Sequence, residues 1–165
     1  MSNERTGAPV RYATICALAC ALGALASVPA QAEPFESDPA AVTRDADYAA
    51  GKQAMEKKNW PEALKRYQIA LKRNPDNADL HNYLGFSYRN AGQMDLAFKH
   101  YLRAIELDPR HRGAHEYIGE AYLMVKDLRK AEEHLAALEK ICLLPCEELD
   151  DLKKQVAEYK KRGGK

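Results

Sequence analysis

The sequence has little of what most catalytic and nucleic-acid-binding proteins require. Its 25 basic and 24 acidic residues nearly cancel, so no net field draws the chain toward nucleic acid or acidic lipid. It has no glycine-rich phosphate-binding loop and no nucleophile-elbow motif, and Ser87 is the only serine within residues 44–144. Four cysteines spell neither a zinc ribbon nor a haem-attachment motif. We therefore predict a protein that is not an enzyme, has no cofactor or metal, and has no nucleic-acid partner.

The chain also lacks an apolar run of the about 20 residues that a membrane-spanning helix needs. Its most apolar stretch, residues 12–28, follows Arg5 and Arg11 and precedes the small-x-small sequence Ala-Gln-Ala. This order is typical of a secretory signal peptide. We predict that residues 1–32 are a signal peptide cut after Ala32, so that the mature protein is periplasmic or secreted and meets the membrane only through this segment.

Two alternatives for the N-terminal segment stay open. The apolar stretch could remain as a membrane anchor, or Cys20 could carry a lipid, because the residues before it loosely resemble a lipobox. Cleavage would leave equal numbers of basic and acidic residues in the mature chain. Residues 33–43, which contain Pro34 and Pro39, are predicted to form an extended leader.

What the chain does have is an internal repeat of 34 residues. Small residues recur at this interval in two series: Gly51, Gly85 and Gly119, and then Ala63, Ala97 and Ala131. Bulky residues follow the alanines by four positions, at Tyr67, Tyr101 and Leu135. A glycine lets a second helix approach its backbone, and the i, i+4, i+7 spacing after each alanine is that of a buried helical stripe. Pro75 and Pro109 end the second helix of two units, because proline cannot donate the next backbone hydrogen bond.

These positions resemble the tetratricopeptide repeat family, whose pattern runs through Leu-Gly, Tyr, Ala, an aromatic residue and Ala to Pro. The second copy fits best, with Leu84, Gly85, Tyr88, Ala97 and Tyr101 all in place. The resemblance implies an all-α, right-handed solenoid of three helix-turn-helix repeats at residues 44–77, 78–111 and 112–144. It resembles the exported bacterial members of the family. Departures in the first and third copies, such as Ala50 and Leu138, suggest the ends of the array.

In this family the first helices of successive repeats line a concave groove, and the resemblance places nine residues of this chain in it. They are Tyr48, Lys52, Met55, Asn82, Phe86, Arg89, Glu116, Glu120 and Leu123. Aromatic and arginine side chains are typical anchors of recognition surfaces. The change from Lys52 and Arg89 to Glu116 and Glu120 would give the groove a polarity.

Some tetratricopeptide domains clamp the acidic C-terminus of cytosolic chaperones with lysine, arginine and asparagine. The matching positions in this chain are Tyr48, Lys52, Tyr83, Gly113 and Tyr117. Only one of these residues is basic, so the clamp is absent, which agrees with the predicted export.

Cys142 and Cys146 remain after cleavage, four positions apart and close to Pro145, where the last repeat ends. In an oxidising compartment they are predicted to form a structural disulfide. A redox-active pair and a metal site are the alternatives. Residues 145–165 are predicted to form a capping helix and a tail, because apolar residues recur there at helical spacing and an open-ended stack needs a cover.

Three functions follow from this pattern. The leading one is an adaptor of the cell envelope that holds a peptide or segment of another envelope protein in the groove. A second is a self-assembling structural protein, which would form a homodimer. A third is a thiol-disulfide or metal-handling protein that uses Cys142 and Cys146.

Overall fold

The structure is a computed structural model and describes residues 45–164; the predicted signal peptide and leader lie outside the described residues. Seven helices and no strands make up this part of the chain. The helices are α1 (Ala46–Glu56), α2 (Trp60–Arg73), α3 (Ala78–Asn90), α4 (Met94–Leu107), α5 (Arg112–Met124), α6 (Leu128–Ile141) and α7 (Glu147–Lys161). Successive helices form three hairpins, and α7 packs on both α5 and α6. The structure therefore confirms the predicted all-α solenoid.

Local sequence signals explain where the helices begin. The side chain of Asp45 accepts hydrogen bonds from the backbone N–H groups of Asp47 and Tyr48, so it caps the free donors of α1. Asn59, Asn77 and Asp127 cap α2, α3 and α6 in the same way, each through one hydrogen bond. These four caps fix the start of each of these helices relative to the turn before it.

The three turns inside the hairpins share one backbone conformation. Lys58, Gly92 and Lys126, each 34 residues from the next, have φ angles of 54°, 77° and 63°. Positive φ suits glycine and costs energy for a residue with a side chain. Gly92 therefore fits its turn without strain, whereas the two lysines adopt the left-handed conformation in turns closed by backbone hydrogen bonds such as Asn59 N–H to the carbonyl oxygen of Ala54.

The repeating glycines bring paired helices into close contact. A Cβ added at Gly51 would lie 2.6 Å from the ring of Tyr67, and one added at Gly85 would lie 2.5 Å from the ring of Tyr101. At Gly119 the neighbouring side chain is Leu152 of α7, at 2.6 Å. These glycines thus allow a large buried side chain to lie directly against the helix backbone.

Two pairs of histidines join the helices of the second and third hairpins. Nδ1 of His81 lies 3.0 Å from Nδ1 of His100, and Nε2 of His81 lies 3.0 Å from the carbonyl oxygen of Pro75. Because a carbonyl oxygen only accepts, Nε2 of His81 carries the proton, and His100 donates to Nδ1 of His81.

The third hairpin repeats this arrangement with His115, His134 and the carbonyl of Pro109. Burial, followed by the charge of the partner histidine, lowers the pKa of His100 and of His134 to about 4. The recurrence of His81 at His115 therefore reflects a repeated packing device rather than a single site.

The C-terminal region connects α6 to α7 through the two cysteines. The sulfur atoms of Cys142 and Cys146 lie 1.99 Å apart, at bonding distance. Whether the purified protein carries this bond stays a prediction. Among residues 45–164, no helix has the length and apolar character of a membrane span.

Candidate partner-binding groove

The nine predicted groove residues lie on the first helices of the hairpins, α1, α3 and α5, and differ in accessibility. Lys52 is exposed, and Met55, Phe86, Arg89 and Glu120 are partly buried. The remaining four are buried: Tyr48, Asn82, Glu116 and Leu123. Only part of the predicted set is therefore available to a partner without rearrangement.

Arg89 and Glu120 form an ion pair with each other. Nη1 of Arg89 lies 2.6 Å from Oε2 of Glu120, and the same nitrogen donates to the carbonyl oxygen of Tyr117 at 3.2 Å. The guanidinium also lies over the rings of Phe86 and Tyr117, with its carbon 5.0 and 5.6 Å from their centroids. The charge gradient that the sequence suggested is thus interrupted, because Arg89 is neutralised by Glu120.

Three apolar members of the set are engaged in packing. Phe86 lies edge-on to Trp60, with ring centroids 6.0 Å apart. Tyr48 is buried among the rings of neighbouring helices. Leu123 is buried in the cluster that α7 completes around Leu152. These three side chains are therefore engaged in packing between helices.

A cleft of about 540 Å³ opens beside the N-terminal ends of α3, α5 and α7. We call it the acidic cleft, because six carboxylates line it: Asp79, Asp108, Glu116, Glu147, Glu148 and Asp151. Its other lining residues include Asn82 and the rings of Tyr83 and Tyr117. Of the nine predicted residues, the structure brings two together in this cleft, Asn82 and Glu116.

Asn82 is a buried amide without its full set of hydrogen bonds. Its side chain is on α3 and the residue is 3% exposed, yet its Oδ1 has no hydrogen-bond partner in the described part of the chain. Gly113 on α5 leaves the other side of the amide open, because a Cβ there would lie only 3.2 Å from Nδ2 of Asn82. An unsatisfied buried amide beside a cleft is a candidate for contact with a ligand.

Glu116 is a buried carboxyl group among other acids. The residue is 9% exposed, and its side chain has no hydrogen bond or ion pair with any residue of 45–164. Burial and the nearby carboxylates of Glu120, Asp151 and Glu148 raise its pKa to about 8, although Arg89 opposes the shift. The fold thus holds an acid where its charged form is unfavourable, which is typical of a functional position.

Two other carboxylates of the acidic cleft have charged partners. His111 lies 3.1 Å from Asp79 and holds the pKa of that carboxyl below its usual range. Arg112 approaches Glu148 at 3.5 Å. Within the described residues, no group of three or more His, Cys, Asp and Glu side chains is arranged to hold a metal ion.

Sequence reasoning did not identify Asp79, Glu148 and Asp151 as part of the site. Asp79 lies three positions before Asn82, one helical turn away, so the repeat register could have included it. Glu148 and Asp151 belong to α7, which has no counterpart in the repeats. No periodicity could therefore place them.

Comparisons with known proteins agree with this architecture. The family model described as tetratricopeptide repeat matches residues 48–110 and 87–142. A comparison with curated protein sequences finds no match. The chain belongs to the tetratricopeptide repeat family, as the sequence pattern predicted.

Solved structures similar to this chain are also tetratricopeptide domains. The TPR2B domain of yeast Sti1, in its pHsp70 complex, is 24% identical with a TM-score of 0.59 and covers 68% of this chain and 94% of its own. PcrH, in complex with the chaperone binding region of PopD, is 18% identical with a TM-score of 0.65, and the match covers 73% of this chain and 93% of PcrH. The translocator chaperone SycD of Yersinia enterocolitica is 20% identical with a TM-score of 0.65 (79% and 90%). At these identities the likeness concerns the fold.

Proposed function

We propose that this protein is a non-catalytic adaptor that binds a segment of a partner protein along the groove formed by α1, α3 and α5. The observation that carries the proposal lies at the acidic cleft, where Oδ1 of Asn82 is buried without a hydrogen-bond partner in the described chain and the neighbouring buried residue Glu116 forms no ion pair there. Buried polar groups without partners cost stability, and a ligand that satisfies them recovers part of that cost.

The structural relatives support a peptide or protein segment as the ligand. The yeast Sti1 domain is in complex with pHsp70, and PcrH is in complex with a binding region of PopD. The ligand of this chain must differ from the acidic chaperone tail. Tyr83, Gly113 and Tyr117 stand at clamp positions, and they line a cleft rich in carboxylates rather than cations.

We further propose that the protein acts in the cell envelope. This rests on the N-terminal 32 residues, whose basic start, apolar stretch and Ala-Gln-Ala sequence fit a signal peptide cut after Ala32. The partner would then be another protein or peptide of the periplasm or the cell exterior. N-terminal sequencing of the protein recovered from an envelope fraction tests this, and a chain that still begins at its first residues would contradict it.

The binding function is tested by affinity capture from an envelope extract with the full-length chain as bait. A Lys52→Glu, Asn82→Ala double variant changes an exposed and a buried groove residue. Lys65→Glu on α2 is the matched control, because it reverses an exposed charge on a second helix. We expect a partner that binds the wild type and Lys65→Glu and is lost from the double variant, with circular dichroism showing all three folded. Capture of only further copies of the chain by all three baits would instead support self-assembly.

A further inference from the structure

Glu116 is a buried carboxyl group of the acidic cleft that has no charged partner among residues 45–164. Three nearby acids do have partners within the described chain: Asp79 faces His111, Glu148 faces Arg112, and Glu120 faces Arg89. Glu116 is nine-tenths buried and has none there. An ionised carboxylate in such a place is stabilised only by an incoming cation or by several donors.

We propose that the acidic cleft binds the cationic side chain of an arginine or lysine of the partner segment, with Glu116 as its counter-ion. This inference rests on the proposed groove-binding function and specifies the chemistry of its ligand. Asp151, which has no ion pair among residues 45–164, lines the same cleft from α7 and adds a second carboxylate. The unpartnered amide of Asn82 contributes further polar contacts to the bound group.

The aromatic walls of the acidic cleft suit such a group. The rings of Tyr83 and Tyr117 line it, and a guanidinium or ammonium group is attracted to the face of an aromatic ring. The fold already contains this kind of contact, for example where Arg89 lies over the ring of Tyr117. An arginine that donates to a carboxylate and stacks on tyrosine combines both interactions.

The two arginines that line the acidic cleft do not act as the cation for Glu116. Arg112 is half-exposed and directed to Glu148, and Arg110 is exposed at the edge. Six carboxylates therefore line the cleft beside two arginines and His111, and the buried Glu116 forms no ion pair within residues 45–164. The electrostatic complement of this cleft is a positive charge that the described chain does not supply.

The test is selection of binding peptides from a random dodecapeptide phage library, on the immobilised full-length chain and on two variants. Glu116→Gln removes the acceptor, and Glu139→Gln removes the same charge from an exposed position on α6, away from the cleft. We expect peptides with arginine or lysine at one fixed position from the wild type and from Glu139→Gln. With Glu116→Gln that positional preference should vanish.

A synthetic copy of a selected peptide then measures how much the cationic side chain contributes to binding. Replacing its fixed arginine by the neutral isostere citrulline should weaken binding about tenfold or more, the range for a charge-assisted hydrogen bond. The same replacement should have little further effect on binding to Glu116→Gln, because the counter-ion is already gone.

The outcomes separate this inference from the function on which it rests. Peptides that lose binding to the Lys52→Glu, Asn82→Ala variant but show no fixed basic residue would leave the groove function standing and overturn the inference. Basic residues enriched equally on Glu116→Gln would show non-specific attraction and overturn it as well. If no peptide binds the wild type, both the proposed function and the inference fail.

Discussion

Leu152 of α7 lies against the backbone of Gly119 on α5, the position that a tyrosine of the same hairpin takes in the first two repeats. Tyr67 covers Gly51 and Tyr101 covers Gly85, but the third hairpin has Leu135 at the equivalent position. The capping helix thus supplies the buried side chain that its neighbouring repeat lacks.

We expect Leu152→Ala to lower the free energy of unfolding by about 2–5 kcal/mol, because it leaves a cavity at a fully buried position. The measurement is urea unfolding followed by circular dichroism. Leu144→Ala is the control, since Leu144 is 79% exposed and should cost less than about 0.5 kcal/mol. An equal, small effect of both variants would show that α7 does not complete the core.

Leu135 stands at a repeat position and Leu152 lies outside the repeats, and this difference shows which parts of the fold the sequence predicts. The glycine, alanine and proline series predict the helices and their pairing, because packing between repeats permits few residue types at those positions. Groove residues are not constrained in that way. Phe86 and Leu123 are engaged in packing, Arg89 is paired with Glu120, and only contacts in three dimensions show this. The acidic cleft depends on α7, whose orientation no repeat pattern encodes.

The ion pair of Arg89 and Glu120 predicts that Arg89 matters for stability. Both side chains are mostly buried, at 10% and 15% exposure, so Arg89→Ala leaves Glu120 without its cation. We expect a loss of about 2–4 kcal/mol in urea unfolding, which the double variant Arg89→Met, Glu120→Gln should largely restore. A double variant as unstable as Arg89→Ala would contradict this explanation.

The histidine pairs predict a loss of stability in mild acid. The pKa values of His100 and His134 in the folded protein are about 4, below the ordinary value of 6.5. As the pH falls from 6.5, the unfolded chain binds protons that the folded chain does not, so the free energy of unfolding is highest above pH 6.5 and declines toward pH 4. The decline should be on the order of 3 kcal/mol for each pair. Urea unfolding at several pH values should show it, and a His100→Gln, His134→Gln variant should flatten the curve.

Glu116 predicts a dependence of the free energy of unfolding on pH that has the opposite sign. Its pKa is raised from 4.5 to about 8, so the folded protein keeps a proton that the unfolded chain releases above pH 4.5. Its contribution to stability is therefore complete below pH 4.5 and is lost as the pH rises to 8. Glu116→Gln should be more stable than the wild type at pH 8, by on the order of 3 kcal/mol, whereas Glu139→Gln should be unchanged. A Glu116→Gln protein that is less stable at pH 8 would mean that the carboxyl group has a partner when folded.

The predicted bond between Cys142 and Cys146 connects the end of α6 to the start of α7, and so holds the cap on the third repeat. A loop this short restricts the unfolded chain only modestly, so we expect reduction to lower the free energy of unfolding by about 2 kcal/mol. Mass spectrometry of the alkylated, unreduced protein decides whether the bond is present, because bridged cysteines take up no reagent. A Cys142→Ser, Cys146→Ser variant should be as stable as the reduced wild type and insensitive to reductant.

Because α7 carries Leu152 as well as Glu148 and Asp151, loosening this connection should also weaken peptide binding at the acidic cleft. Two alkylated cysteines in protein purified from the envelope, with peptide binding unaffected by reductant, would show that the bond plays no part in this site.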